Sequence, residues 1–149
     1  MILDKTLEMC DAIALNTGAA ATYLIGDVID TSLVNKDQGI GDPLWLVIRV
    51  QTAATSGGSA TGDFRFVSDA QAAIATDGTA TVHATSGAIA VATLVAGYTV
   101  LALRLPTGTY ERYLGILQVT AVAAFTAGKV DAFLTKDFAK WVAQPDGTN

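Results

Sequence analysis

The chain has 149 residues, of which 51% are hydrophobic and 15% are charged, and its formal net charge is −5. This length fits a single domain with enough apolar material for a core. The basic residues are scattered and have no interleaved aromatic residues, so direct binding to DNA or RNA is not expected. A surface with little charge loses little free energy on desolvation, which favours contact with other proteins; a monomer with low surface charge is the alternative.

The N-terminal residues 1–16 are predicted to form an arm, in which Leu3, Leu7 and Cys10 would line one side of a short helix. Because Cys10 is the only cysteine, no disulfide can form within the chain. The first residues lack the pattern of a secretory signal, and the apolar segment 87–105 is too interrupted to be a transmembrane helix.

After the arm, short apolar segments alternate with turn residues in a pattern that is typical of β-strands. Eight strands are predicted, at residues 23–30, 44–51, 64–67, 79–85, 89–95, 98–105, 110–122 and 129–135. Strict alternation in 44–51 predicts one face toward the core, and Phe64 and Phe66 are also predicted to point inward. Residues 53–63 are predicted to join two strands of a hairpin, and residues 69–75 to form a helical turn.

The segments show no βαβ rhythm and no repeat of fixed period, so residues 17–137 are predicted to form one all-β domain. About eight strands in one domain fit an antiparallel β-sandwich of jelly-roll type, and an immunoglobulin-like sandwich is the second choice from the pattern. Residues 138–149 are predicted to form a C-terminal tail beyond the last strand.

The residues that could carry chemistry are few and have no catalytic spacing. His83 is the only histidine and stands among threonines, so it is predicted to lie at the surface or an interface. Cys10 is expected to be a small buried apolar residue, because no histidine lies near it in the sequence. Asp27, Asp30 and Asp37 lack the pattern of a calcium loop, so no catalytic, cofactor or metal site is predicted.

The segment Tyr110–Tyr113 is the densest group of polar and aromatic residues, and its composition matches that of interface hot spots. A strand entry with an exposed charge pair, Glu111 and Arg112, explains the segment equally well. Phe138 and Trp141 lie three residues apart after the last strand and either close the core or anchor a neighbouring subunit. The candidate interface residues are Leu3, Leu7, Tyr110, Arg112, Tyr113, Phe138 and Trp141.

Six short stretches of the chain form an ordered set of motifs that are structural rather than catalytic. They are residues 1–4 (MILD), 26–30 (GDVID), 41–44 (GDPL), 64–69 (FRFVSD), 74–78 (IATDG) and 110–115 (YERYLG). Together and in this order, over nearly the whole chain, they resemble the capsid cement proteins of tailed bacteriophages, of the Bordetella-phage type.

This resemblance implies a jelly-roll domain on the outside of an icosahedral head, which joins neighbouring capsomers and strengthens the shell against the packaged DNA. It implies the major capsid protein as the partner, a homo-oligomer with a dimer favoured over a trimer, and a virion protein made in the host cytoplasm. Jelly rolls also bind sugars, so a carbohydrate- or receptor-binding module with Trp45 and Tyr110 in its site is the alternative. An enzyme of the cupin kind is not expected, because its metal needs several histidine ligands.

Overall fold

A computed structural model of the protein describes residues 5–31 and 43–136. These residues form nine strands: β1 (Glu8–Ala14), β2 (Thr22–Asp30), β3 (Trp45–Ser56), β4 (Thr61–Asp69), β5 (Thr81–Thr85), β6 (Ile89–Ala90), β7 (Thr99–Arg104), β8 (Tyr113–Ala121) and β9 (Phe125–Thr135). Short 3-10 turns at Lys5–Leu7 and Val91–Thr93 are the only helical elements in these two ranges, and neither is long enough to cross a membrane.

The strands form two antiparallel sheets, one in the order β1-β9-β3-β7 and the other in the order β2-β8-β4-β5 with β6 beside β4. Strands that are distant in sequence are neighbours, because β1 pairs with β9, β2 with β8, β3 with β7 and β4 with β5. This is the order of one long hairpin rolled into two layers, which is a jelly roll. The predicted antiparallel β-sandwich of jelly-roll type is confirmed, and the order differs from that of an immunoglobulin-like sandwich.

The main core lies between the two sheets. It is built from alternate residues of the central strands, and Phe64 and Phe66 of β4 are fully buried in it, as predicted. On β3, Leu46 and Ile48 also point inward, which confirms the face assigned from the alternation. Each such side chain contributes about 1.5–3 kcal/mol through burial, so these central strands supply most of the stability of the sandwich.

A second, smaller core covers part of the outer face of the β2-β8-β4-β5 sheet. Ile74, from the β4–β5 connection, packs there with Val67 and Leu117. The absence of a side chain at Gly115 makes room for it, since a Cβ at that position would lie 2.6 Å from Ile74 Cδ1. Residues 69–75 are therefore not the predicted helical turn: Asp69 accepts hydrogen bonds from the backbone N–H groups of Gln71 and Ala75, which bends the chain over the sheet.

The first strand lies where the sequence indicated an arm. β1 is an edge strand paired with β9, and Met9, Cys10 and Leu15 are all buried in the main core. The prediction of an arm over residues 1–16 is thus corrected from Glu8 onward, and the predicted helix with it. The strand was missed because it contains two bulges and Ala12 has a φ of 48°, which destroys the period of two.

Other boundaries also differ from the predicted ones. β3 and β4 are not a hairpin, because they belong to different sheets and residues 57–60 carry the chain from one sheet to the other. The predicted strand at 89–95 is strand only over its first two residues and then becomes a 3-10 turn. Leu3, Phe138 and Trp141 lie outside the described residues.

Candidate interface

Tyr110, one of the predicted interface residues, belongs to the core. Only 2% of its surface is exposed, and its ring lies 4.1 Å from the ring of His83, measured between centroids. Its hydroxyl donates a hydrogen bond to the Pro106 carbonyl oxygen at 2.6 Å, which fastens the loop before β8. This corrects the interface assignment, because the apolar ring is enclosed and the polar tip already has a partner. Burial also raises the pKa of the Tyr110 hydroxyl.

Arg112 and Tyr113 lie closer to the surface. The Arg112 guanidinium donates two hydrogen bonds of 2.9 Å to the carboxylate of Asp30, and its central carbon lies 4.9 Å from the centroid of the Tyr113 ring. Thr31 donates its hydroxyl to the Arg112 carbonyl oxygen at 2.7 Å. These contacts hold the end of β2 against the start of β8. The remaining described candidate, Leu7, is partly buried against the main core.

Among the residues that the structure describes, Ser68 and His83 form the one contact that resembles part of a catalytic site. Ser68 Oγ lies 2.7 Å from His83 Nε2 and accepts a hydrogen bond from the backbone N–H of Glu111. Either atom of this pair can be the donor, depending on which imidazole nitrogen carries the proton. Burial lowers the pKa of His83, and the negative charge of Glu111 opposes this shift only in part. Ser68 is fully buried, so the contact joins β4, β5 and the loop before β8 and offers no nucleophile to a substrate.

Cys10 has the environment of a packing residue, as expected from the sequence. Its Sγ lies 3.9 Å from the Ile25 carbonyl oxygen, and burial raises the pKa of the thiol to about 12. A thiol with this pKa is not ionised near neutral pH and is a poor nucleophile or metal ligand. Across residues 5–31 and 43–136, no group of three or more His, Cys, Asp or Glu side chains is arranged to hold a metal ion.

Among the described residues, the four longer strands at the sheet edges contain extra residues relative to their partners, and only the two-residue β6 has none. β1 has two register shifts against β9, β2 has one between Ile25 and Ile29, and β5 and β7 have one each, at His83 and at Val100. A bulge bends the edge and interrupts its row of free backbone groups, which opposes pairing with a strand of another chain. The surface available for binding is therefore in the loops and on the sheet faces.

The loops at one end of the sandwich contain no charged residue. This uncharged end comprises residues 15–21, 57–60, 86–98 and 122–124, and none of these positions holds Asp, Glu, Lys, Arg or His. Backbone hydrogen bonds connect the loops to their neighbours: Val91 N–H donates to the Ala60 carbonyl oxygen at 2.9 Å. Two of the most exposed large apolar side chains of the described residues lie here, Val95 at 53% and Val122 at 75% exposure.

The opposite end of the sandwich carries charge. This acidic end comprises loops 70–80 and 105–112 with the adjoining strand ends, and its charged residues are four acidic and two basic ones: Asp30, Asp69, Asp77, Glu111, Arg104 and Arg112. Backbone hydrogen bonds, first from Ala75 and then from Gln71, lower the pKa of Asp69. The Thr79 side chain lowers the pKa of Asp77 in the same way. Both carboxylates are therefore ionised at neutral pH, and the two ends of the described sandwich differ in charge.

The described residues define a small jelly-roll domain. A family model named Bbp16 matches residues 9–134, and the chain belongs to this family, which is a bacteriophage family of the Bordetella-phage type. The match runs from the second residue of β1 to the last but one residue of β9, so it covers all nine strands. A search of curated proteins finds no match.

Proposed function

We propose that this protein is a capsid cement protein, which binds the outer surface of a tailed-phage head, joins neighbouring capsomers and stabilises the mature shell. The observation that carries the proposal is the match of the complete jelly roll to a bacteriophage family. Its partner is then the major capsid protein, and it acts as a homo-oligomer, with a dimer favoured. In this role it carries out no chemical reaction and needs no cofactor.

The physical basis of such a role is repetition. The contact between one copy of the protein and one shell subunit need not be strong. Each copy would touch several subunits at once, and together these contacts give a high overall affinity. A protein that binds only the mature shell stabilises that state by mass action. The blunted sheet edges suit this role, because they oppose uncontrolled pairing of free copies before they reach the shell.

The direct test uses heads of the cognate phage. Purified heads that lack the protein are mixed with it and sedimented, and the ratio of bound protein to major capsid protein is measured. We expect saturation at a fixed ratio and greater resistance of the loaded heads to heat-induced loss of DNA. Absence of the protein from native heads, with no binding to purified ones, would contradict the proposal.

A carbohydrate- or receptor-binding module is the other candidate, and the burial of Tyr110 weakens it. The pair of exposed aromatic residues expected for a sugar site is reduced to Trp45, which is itself only partly exposed. A glycan array separates the two functions: saturable binding to one class of sugar, together with location of the protein on tails, would favour the module.

A further inference from the structure

We infer that the uncharged end of the sandwich is the surface that faces the phage shell, and that the acidic end faces solvent. This inference rests on the proposed function, because it needs a shell to bind. It specifies how the sandwich is oriented on the shell and which kind of surface it binds, namely a protein surface that is itself poor in charge.

Desolvation favours the uncharged end over the acidic end. Removing water from an ionised side chain costs far more than removing it from alanine, threonine or glycine. Loops 15–21, 57–60, 86–98 and 122–124 offer no ionised group, and their small side chains lose little rotamer entropy on contact. Two of these loops lie against each other, since a Cβ at Gly58 would come within 2.9 Å of Ala123 Cβ.

Val122 adds an independent observation. It is a β-branched residue with a φ of 69°, in the left-handed region that normally favours glycine or asparagine, and its side chain is 75% exposed. A strained backbone that presents an apolar side chain to water is unfavourable for the free protein. Burial of Val122 against a partner would offset the free-energy cost of both features. Val95 at the same end provides a second apolar contact.

The acidic end has the opposite character. The carboxylate oxygens of Asp69 and Asp77 accept hydrogen bonds from their own loops, and Asp30 is paired with Arg112. A partner would gain few new hydrogen bonds there and would have to desolvate ionised groups. Strand addition along the sheet edges is opposed by the bulges. The loop surface at the uncharged end is what remains.

The test introduces the same charge at matched exposed valines. Val122→Glu and Val95→Glu place a carboxylate on the uncharged end, and Val82→Glu places one on β5, where the valine is 47% exposed and lies beside the acidic end. Each variant is checked by thermal unfolding and then titrated against purified heads at low and high salt. We expect a loss of affinity of about tenfold or more for the first two variants and less than about twofold for Val82→Glu.

A fourth variant, Val122→Gly, separates binding from folding. It relieves the strained backbone and removes the exposed side chain, so it should leave the stability of the free protein unchanged or raised and still weaken binding to heads. Weaker binding by Val82→Glu than by the other two glutamate variants, or equal effects of all three, would overturn the assignment of the uncharged end. Wild-type protein that does not bind heads at all would instead overturn the proposed function and this inference together.

Discussion

Replacing Gln118 with methionine tests how the end of β1 is held to the opposite sheet. Gln118 lies on the inner face of β8 and is fully buried. Its Oε1 accepts a hydrogen bond from the backbone N–H of Asn16 at 2.9 Å, and its Nε2 donates to the Asn16 carbonyl oxygen at 3.0 Å and to Thr120 Oγ1 at 2.8 Å. One side chain therefore satisfies both backbone groups of Asn16, the second residue after the first strand.

The expected loss of stability comes from the groups left without partners. Methionine has nearly the length of glutamine, so Gln118→Met opens no large cavity. It does leave the N–H and C=O groups of Asn16 unpaired, each at a cost of about 1–3 kcal/mol when buried. Since Asn16 is only partly buried, we expect a loss of about 2–4 kcal/mol in the free energy of unfolding. For a chain of this length, that corresponds to a decrease in Tm of roughly 4–16 °C.

Urea denaturation followed by circular dichroism measures this loss, with Tm from calorimetry as a second readout. Gln71→Met is the matched control, because Gln71 is exposed in the β4–β5 loop. The control should stay within about 0.5 kcal/mol of the wild type. If Gln118→Met is as stable as Gln71→Met, the hydrogen bonds to Asn16 do not hold the N-terminal strand, and the reasoning is refuted.

Three further predictions concern two glycines, the thiol of Cys10 and the imidazole of His83. Gly26→Ala should lower the free energy of unfolding, measured by urea denaturation, by about 3 kcal/mol or more, because Gly26 has a φ of 72° and a Cβ there would overlap the Met9 carbonyl oxygen. Gly78 has a φ of 94° but open space around it, so Gly78→Ala should lower the free energy of unfolding by only about 1–2 kcal/mol. Equal losses for the two variants would contradict this prediction. Cys10 should not react with a thiol reagent at about pH 8 until the protein unfolds, because its pKa is about 12; rapid labelling of the native protein would show that the strand opens. The pKa of His83 is lower in the folded protein than in the unfolded chain, where it is about 6.5. Between these two pKa values the unfolded state binds more protons than the folded state. The contribution of His83 to stability is therefore complete above about pH 6.5 and falls as the pH drops from there to the folded pKa. Urea midpoints at about pH 7.5 and 5.5 should therefore differ, and His83→Gln should reduce that difference; identical wild-type midpoints would disprove it.

The fold class could be predicted from the sequence where strands alternate without interruption. The first half of β3 has a period of two, and its inward residues, such as Ile48, are the core residues of the structure. The inward orientation of Phe64 and Phe66 could be predicted for the same reason. Which strands pair could not be read from the alternation, because β3 and β4 are adjacent in sequence but belong to different sheets. The jelly-roll order depends on pairs such as β1 with β9 that leave no local signal.

The first strand shows what hides an element from its own sequence. Met9 and Cys10 are consecutive and both buried, which no regular strand allows on one face. The bulge at Ala12 is held from outside, since its N–H donates to Asp131 Oδ1 at 2.9 Å, and Asp131 also pairs with Arg49. The conformation of β1 is thus determined by residues more than a hundred positions away, which a local pattern cannot contain.

The candidate interface depended on the same long-range order. Low charge was visible in the composition, but its concentration at one end was not, because the four uncharged loops lie far apart in the sequence and meet only in the jelly roll. The densest aromatic group, around Tyr110, was predicted as interface and is partly core, whereas Val122 carried no sequence signal at all. An aromatic side chain can bury its large area either at an interface or in the core, and Tyr110 does so in the core. The uncharged end, by contrast, is defined by the lack of charged residues in four loops that are distant in sequence. These loops form one surface only because the jelly-roll topology places them at the same end of the sandwich.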